Sequence, residues 1–327
     1  MRRRDFMTLA GAAGAALPLV ARAQSAPKPV IGFLNGFSAA EWESPLTGFR
    51  KGLSEAGFAE GQNVSIEFRW AEGHRERVVA FANELVQKSV SVLVATGGSQ
   101  TAVAAKAATS TIPIVFGVGT DPFKSGLVTS LSRTKSNVTG VYFLTGELDG
   151  KRLGLLREVT PAGAMTAALF NPTNLNSASV MIELQVAAQK LGQQIHIVYA
   201  SNEAEIESAL ATASQMRAAA LLVGADPFFL TRRDQIVSLA ARYALPTIYH
   251  QRDFVTAGGL MSYGTSLFDA TRQVGVWTGH ILKGEKPANL PVVQSTRFEL
   301  VVNAKTAKQL NLTIPPALIA AADEVID

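Results

Sequence analysis

Short, unbroken apolar runs alternate along this chain with amphipathic stretches of helical period, and the whole series occurs twice. Runs such as Val92–Ala95 and Ile114–Val118 have no polar residue at alternate positions. That pattern is typical of parallel strands covered by helices on both faces. Strand–helix series joined by right-handed crossovers form three-layer sandwiches. The repeat therefore predicts an α/β protein with two similar doubly wound, parallel-sheet units rather than one large sheet.

Each half is predicted to contain five strands separated by helices. The first-half strands are Val30–Leu34, Val64–Arg69, Val92–Ala95, Ile114–Val118 and Val138–Phe143, with helices at Ser44–Ala56, Arg75–Lys88, Ser99–Ala108 and Pro122–Leu131. The second-half strands are Thr166–Phe170, Ile195–Tyr199, Ala219–Val223, Thr247–His250 and Leu260–Ser262, with helices at Ser177–Leu191, Glu203–Met216 and Thr231–Tyr243. The final segment adds helix Ser266–Leu282, strand Phe298–Val302 and helix Lys305–Leu310. Because this tail is too short for a core of its own, we expect it to pack on the two units.

The first 23 residues are predicted to be an export signal rather than part of the fold. A basic segment at Arg2–Arg4 precedes the apolar stretch Phe6–Val20, and Ala21–Ala23 provides a small-x-small cleavage site. Arg3–Met7 also resembles a twin-arginine signal, which directs the export of folded proteins. An uncleaved anchor is the alternative, but the apolar stretch is shorter than the roughly 20 residues that a spanning helix needs.

The remaining composition narrows the possible partners. Cleavage would remove four arginines and one aspartate, so that 30 basic and 26 acidic residues become 26 and 25. A near-neutral surface argues against nucleic acid or acidic lipid as partner. The absence of cysteine excludes disulfides, thiol nucleophiles and a lipid-modified N-terminal cysteine. We expect a protein free in solution outside the cytoplasm, which in a bacterium with two membranes is the periplasm.

Polar and glycine-rich loops follow the predicted strands, where open parallel sheets bind their ligands. Glycine lets backbone N–H groups approach a ligand, and aromatic rings at strand ends can form the walls of a cleft. Many of these residues have an ordinary structural interpretation as helix caps and turns. The candidate ligand-binding residues are Phe37, Ser38, Gly97, Gly98, Ser99, Asp121, Phe143, Asn171, Asn174, Asp226, Tyr249, Gln251 and Tyr263.

Enzyme motifs are incomplete in this sequence. Gly97–Thr101 resembles a nucleophile elbow, but Thr101 replaces the required glycine. Phe123 occupies the position of a glycine in the phosphate-loop-like segment Gly117–Ser125. The four histidines are not spaced as metal ligands, and no G-x-G-x-x-G follows a strand. We predict a binding protein without a catalytic residue, metal or cofactor.

The chain resembles the substrate-binding proteins of ABC transporters that have the type I periplasmic binding fold. Within that group it is similar to proteins that bind tryptophan or other aromatic amino acids. The resemblance extends from Pro29 to Asp327. It is carried by Ile31–Leu34, Phe49–Leu53, Thr120–Pro122, Asn137–Val141, Phe170–Pro172, Phe298–Asn303 and Ala322–Ile326.

The resemblance implies two lobes that open and close about a hinge, with a cleft between them. Lobe 1 is expected to comprise residues 28–145 and 265–290, and lobe 2 residues 146–264 and 291–327. The expected role is capture of a small molecule by a monomer that passes it to a permease in the inner membrane. If the solute is an amino acid, Asp121, Asp226 or Asp253 would meet its ammonium group, and Ser38 or Ser99 its carboxylate.

Three other functions remain open at this point. A ligand-sensing repressor can share the fold, but it would carry a DNA-binding helix-turn-helix where this chain has its export signal. A receptor subunit for a membrane sensor would have the same signal and the same lobes. An exported hydrolase would need a nucleophile paired with a base such as His250, and the sequence does not identify one.

Overall fold

The structure is a computed structural model that describes residues 28–130, 136–143, 145, 148–174 and 177–327. The predicted export signal lies outside the described residues.

The predicted strands occur in the predicted order. The structure adds elements that the sequence did not predict, namely helices at Asp149–Arg157, Pro227–Thr231, Arg252–Thr256 and Pro316–Ala321 and strands at Val293–Gln294 and Glu324–Ile326. The strands are β1 (Val30–Asn35), β2 (Ser65–Trp70), β3 (Val92–Thr96), β4 (Ile114–Val118), β5 (Val138–Tyr142), β6 (Thr166–Phe170), β7 (Ile195–Tyr199), β8 (Ala220–Val223), β9 (Thr247–Tyr249), β10 (Met261–Thr265), β11 (Val293–Gln294), β12 (Phe298–Asn303) and β13 (Glu324–Ile326). The α-helices are α1 (Glu43–Glu55), α2 (Arg75–Gln87), α3 (Ser99–Ala108), α4 (Asp149–Arg157), α5 (Ser177–Leu191), α6 (Glu203–Gln215), α7 (Pro227–Thr231), α8 (Arg233–Arg242), α9 (Arg252–Thr256), α10 (Leu267–Leu282), α11 (Ala304–Gln309) and α12 (Pro316–Ala321).

The strands form two separate sheets. The first has the order β11-β5-β4-β3-β1-β2 and the second the order β13-β12-β10-β9-β8-β6-β7. Neighbouring strands are parallel throughout, apart from the antiparallel pair of β10 and β12. Helices cover both faces of each sheet, which explains why the strands have no polar alternation. The prediction of two doubly wound units is confirmed.

The chain passes between the two sheets at three crossings. The first follows β5 and leads to α4, which packs on the second sheet. The second follows β10 and leads to α10, which packs on the first sheet. The third connects β11 to β12. Because β5 and β10 both cross at their carboxyl ends, the carboxyl ends of both sheets face the same gap, where ligands bind in open parallel sheets.

Three details of the sequence-based assignment were wrong. Residues 291–327 were assigned to lobe 2, but Val293–Gln294 pair with β5 in the first sheet. The predicted helix Pro122–Leu131 is a series of turns over its described part, because the Asp121 carboxylate caps it and Gly126 has a φ of +71°. The predicted helix Thr231–Tyr243 begins two residues later, as α8, and a separate short helix, α7, precedes it.

Glycines bring α1 and α10 into direct backbone contact on one face of the first sheet. A Cβ atom on Gly52 would collide with the carbonyl of Arg272, and one on Gly275 with the carbonyl of Phe49. Helix α10, which follows β10 of the second sheet in the sequence, therefore completes the core of lobe 1. Its Thr271 donates a hydrogen bond to the carbonyl of Pro45 over 2.6 Å.

We expect Gly52→Ala to lower the free energy of unfolding by about 1–3 kcal/mol, because the added methyl group forces two packed helices apart. Gly154→Ala in α4 is the matched control, since a Cβ atom there meets nothing within 4 Å. It should raise stability by roughly 0.5–1 kcal/mol through the better helix propensity of alanine. Chemical denaturation of both variants checks this, and a stabilised Gly52→Ala variant would contradict the packing.

Candidate ligand-binding cleft

The wall of the cleft in lobe 1 is built on a buried asparagine at the end of β1. The Asn35 amide donates to Thr96 Oγ1 over 2.8 Å, and its carbonyl oxygen accepts from the backbone N–H of Phe37 over 2.7 Å. A Cβ atom on Gly36 would collide with the carbonyl of Gly97. The loops after β1 and β3 are thus held together, and this brings the predicted residues Phe37 and Gly97 close to each other.

Beside these loops, two hydroxyl groups join the ends of β3 and β4. Ser99 Oγ lies 2.5 Å from Thr120 Oγ1. The preceding Gly98 has a φ of +125°, and a Cβ atom there would meet nothing within 4 Å. A backbone with this positive φ favours glycine. The space around Gly98 leaves the N-terminus of α3 accessible to a ligand. Thr120 was not among the candidate residues, although its loop was.

Aromatic rings form the apolar part of the same wall. Phe37 stacks on Trp42, with ring centroids 5.1 Å apart and an interplanar angle of 11°. Phe143 packs against Gly119 after β5. The indole Nε1 of Trp42 is buried without a hydrogen-bond partner among the described residues. Trp42 belongs to the aromatic residues that the sequence places near strand ends, although it was not among the candidate residues.

In lobe 2, three predicted residues form one hydrogen-bonded group. The Asp226 carboxylate accepts from Asn171 Nδ2 over 3.2 Å, from Asn174 Nδ2 over 2.7 Å and from the backbone N–H of Phe228 over 2.8 Å. It caps α7 and joins the loops after β6 and β8. Asn171 in turn accepts from the backbone N–H of Thr173 over 3.0 Å.

Two other polar candidates have local structural partners. The Asp121 carboxylate accepts from the backbone N–H groups of Phe123 and Lys124 over 2.8 and 3.3 Å. The Ser38 hydroxyl donates to Glu41 over 2.6 Å. Both Asp121 and Ser38 therefore have the ordinary structural role of residues that cap a turn.

The two predicted tyrosines do not reach the cleft in this conformation. Tyr249 is fully buried in the core of lobe 2, where it stacks on Phe254 at 4.6 Å between centroids. Its burial raises the pKa of the phenol. Tyr263 lies within β10 rather than after it, and its ring is covered by Phe298 and by the ammonium of Lys151. The predicted strand Leu260–Ser262 ended before Tyr263 and so placed it in the following loop. Tyr249 is the last residue of β9, but its side chain is buried in the core.

A buried charged group at the crossings was not predicted from the sequence. The Arg152 guanidinium, which is 0% exposed, pairs with Asp149. It also donates to the carbonyl of Tyr263 over 2.7 Å and to the carbonyl of Thr145 over 2.8 Å. Burial raises the pKa of Asp149 to about 6, although the guanidinium opposes this shift. Arg152 therefore connects the first crossing with the strand that leads to the second.

His250 follows β9 and, like Arg152, is buried. It is 4% exposed, its ring lies edge-on to Phe254, and its Nδ1 has no partner among the described residues. Burial, and secondarily the charge of Arg152, lower its pKa to about 3. The imidazole is therefore neutral at physiological pH.

Next to the cleft, a cavity of about 490 Å³ lies between the lobes. Residues of α1 and the start of α10 line one side, and residues of α9, β12 and β13 line the other. Gln251 is the predicted site residue that lines it, and its Oε1 is buried without a partner among the described residues. This volume is in the range of small-molecule sites, roughly 300–1,000 Å³.

Metal and membrane features were also sought in the described part of the chain. No cluster of three or more His, Cys, Asp or Glu side chains is arranged there to hold a metal ion. No helix among these residues has the length and apolarity that a membrane span requires.

Comparison with known proteins identifies the class to which this fold and cleft correspond. The family model described as ABC transporter substrate binding protein matches residues 30–326. The chain belongs to this family, as its sequence resemblance predicts. It is therefore a solute-binding component that captures a small molecule and works with the permease of an ABC transporter. Substrate-binding proteins of this kind act outside the cytoplasm.

Individual relatives are similar to this chain over most of its length. A tyrosine-binding protein of Clostridioides difficile (strain R20291) is 25% identical over 266 residues, which are 81% of this chain and 76% of the relative. A conserved domain protein from Vibrio cholerae has a TM-score of 0.82 at 26% identity, covering 91% of this chain and 100% of the other. The ABC domain from Streptococcus pneumonia, solved in complex with L-Trp, has the same TM-score and identity, with 92% and 100% coverage.

The buried imidazole makes stability depend on pH in a predictable direction. Because the pKa of His250 is lowered in the folded state, its contribution is present above the unfolded pKa of about 6.5 and is lost as pH falls toward 3. We expect the difference in unfolding free energy between wild type and His250→Gln to change by up to about 1.4 kcal/mol per pH unit below 6.5. His74→Gln, on a half-exposed histidine, controls for the substitution itself. A difference between wild type and His250→Gln that is independent of pH would refute the assignment.

Removal of the Arg152 charge should be strongly destabilising. Arg152→Met would leave the Asp149 carboxylate buried and unpaired, at a cost of about 3–5 kcal/mol. Arg157→Met lies on the same helix but removes an exposed side chain, so its effect should stay within about 0.5 kcal/mol. Urea denaturation of both variants measures the contrast, and equal effects would contradict the role given to Arg152.

Proposed function

We propose that the solute is an amino acid with an aromatic side chain, held between the two lobes. The observation that carries this proposal is the group of aromatic rings at the strand ends of lobe 1. Phe37 stacks on Trp42 with ring centroids 5.1 Å apart, and Phe143 follows β5 beside Gly119. Rings at the carboxyl ends of strands suit a flat apolar group, while nearby polar atoms fix its orientation. The named ligands of two relatives, tyrosine and tryptophan, support the same class.

The polar contacts are proposed to come from both ranks of loops. In lobe 1 they are the N–H groups after Gly97 and Gly98 and the hydroxyl of Ser99, close to the open start of α3. In lobe 2 they are the amides of Asn171, Asn174 and Gln251. Asp121 and Asp226 hold their own loops in place and act on the solute indirectly.

Capture follows from the way the lobes are connected. Lobe 1 is proposed to comprise residues 28–145 and 265–294, and lobe 2 residues 146–264 and 295–327. A solute docks on one lobe, the other closes over it, and exclusion of water strengthens the polar contacts. We propose a periplasmic monomer that needs no cofactor and carries out no catalysis, since its relatives are binding proteins.

A ligand screen by thermal shift, confirmed by calorimetry, tests the solute class. We expect L-Trp, L-Tyr or L-Phe to raise the melting temperature, because a ligand at 100 times its Kd stabilises the native state by about 2.7 kcal/mol. D-Ribose and purine nucleosides should leave it unchanged. A shift with a sugar or nucleoside and none with an aromatic amino acid would refute the proposed class.

Variants of the aromatic pair test the location of the site. Trp42→Ala and Phe37→Ala should weaken binding, because each removes a ring from the wall of the cleft. Phe123→Ala is the matched control, since Phe123 is 60% exposed on the same lobe. Equal affinity in all three variants would place the solute elsewhere.

A further inference from the structure

We infer that the cavity between α1, α10, α9 and β12 recognises the charged end of a zwitterionic solute, with Asp253 accepting from its ammonium group. This inference rests on the proposed function, because it identifies how an amino acid rather than a simple aromatic compound would be selected.

The cavity brings opposite charges and both lobes together. Lobe 1 contributes Ser44 and Lys51, while lobe 2 contributes Gln251, Asp253 and Arg297. Pro45, Leu267 and Phe268 add apolar surface next to them. A molecule bound here touches both lobes at once, so its contacts are complete only when the lobes are close together.

Asp253 differs from the other carboxylates that the sequence offered as partners for an ammonium group. Asp121 and Asp226 are occupied by backbone and amide donors of their own loops. The carboxylate of Asp253 accepts from its own backbone N–H, and no other described side chain pairs with it. Arg233 and Arg252 are near enough to lower its pKa, but burial outweighs them and raises it. A partly buried carboxylate that has only its own backbone N–H as a donor among the described residues is stabilised further by a cationic ligand.

Gln251 supplies a second acceptor at the same place. Its Oε1 is buried and has no donor among the described residues. A buried acceptor left unpaired costs about 1–3 kcal/mol. An ammonium group has three N–H donors, so one such group can satisfy both Gln251 and Asp253.

Some of the basic side chains that line the cavity have an acidic partner and others do not. Arg252 pairs with Glu324 over 2.7 Å, and Arg272 pairs with Asp269 over 3.0 Å. Lys51 and Arg297 have no carboxylate within ion-pairing distance in the described part of the chain, although Lys51 lies over the ring of Phe268. These two cations can meet a carboxylate. A neutral sugar would leave both kinds of charge unmatched, whereas an α-amino acid matches both.

Calorimetry with three related ligands tests this assignment. L-Trp has both charged groups, 3-indolepropionate lacks the amine, and tryptamine lacks the carboxylate. We expect Asp253→Asn to weaken L-Trp by about 10- to 100-fold, as loss of a charged hydrogen bond does, while the affinity for 3-indolepropionate stays the same. Arg297→Gln should weaken L-Trp and spare tryptamine. Asp234→Asn, on an exposed aspartate of lobe 2, is the matched control.

The outcomes separate the two claims. If wild type binds L-Trp and Asp253→Asn weakens L-Trp and 3-indolepropionate equally, or neither of them, the role of Asp253 is overturned and the proposed function stands. If wild type binds no aromatic amino acid, the proposed function fails and the inference fails with it. The melting temperature of each variant without ligand checks that its fold is intact. We expect it to be unchanged for Asp253→Asn, since this substitution keeps the shape of the side chain.

Discussion

The buried guanidinium of Arg152 is the interaction on which the arrangement of the lobes depends. It bonds the carbonyls of Thr145 and Tyr263 and pairs with Asp149, so two crossings share one cation. The third crossing is attached to the others by backbone bonds from Ser266 to Arg297 and from Ser295 to Tyr142. A charge buried this deeply is tolerated only when all its donors are used. The three crossings therefore behave as one connected hinge rather than as separate linkers.

The gap next to this hinge contains most of the unpaired polar atoms of the described interior. Trp42 Nε1, Asp149 Oδ2, His250 Nδ1, Gln251 Oε1 and Ser295 Oγ are all buried without a partner among the described residues. All five lie on strand-end loops or at the crossings. Unpaired groups are costly in a rigid core, but they suit a surface whose remaining partners come from a ligand or from movement of the lobes. The unpaired polar atoms are therefore concentrated near the connections between the two sheets.

The sequence predicted the sheets because burial on both faces leaves an unbroken apolar run, and each predicted strand overlaps an observed one. It also predicted the positions of the loops that follow these strands. It could not predict which loop residues are free, because Asp121 and Asp253 both stand next to a helix or turn in the sequence. Only the folded chain shows that one caps its own turn and the other faces a cavity. Arg152 was missed because no element was predicted over residues 149–157, and a lone arginine outside an apolar run predicts a solvated side chain.

The packing of α1 against α10 has a consequence for biosynthesis. Lobe 1 joins residues near position 50 to residues near position 275, and lobe 2 takes three of its helices or strands from beyond position 300. A nascent chain that lacks residues 267–327 thus has two unfinished cores with exposed apolar faces. Assembly must wait until these residues have been synthesised, which delays long-range contacts and lengthens the time in which chaperones are needed.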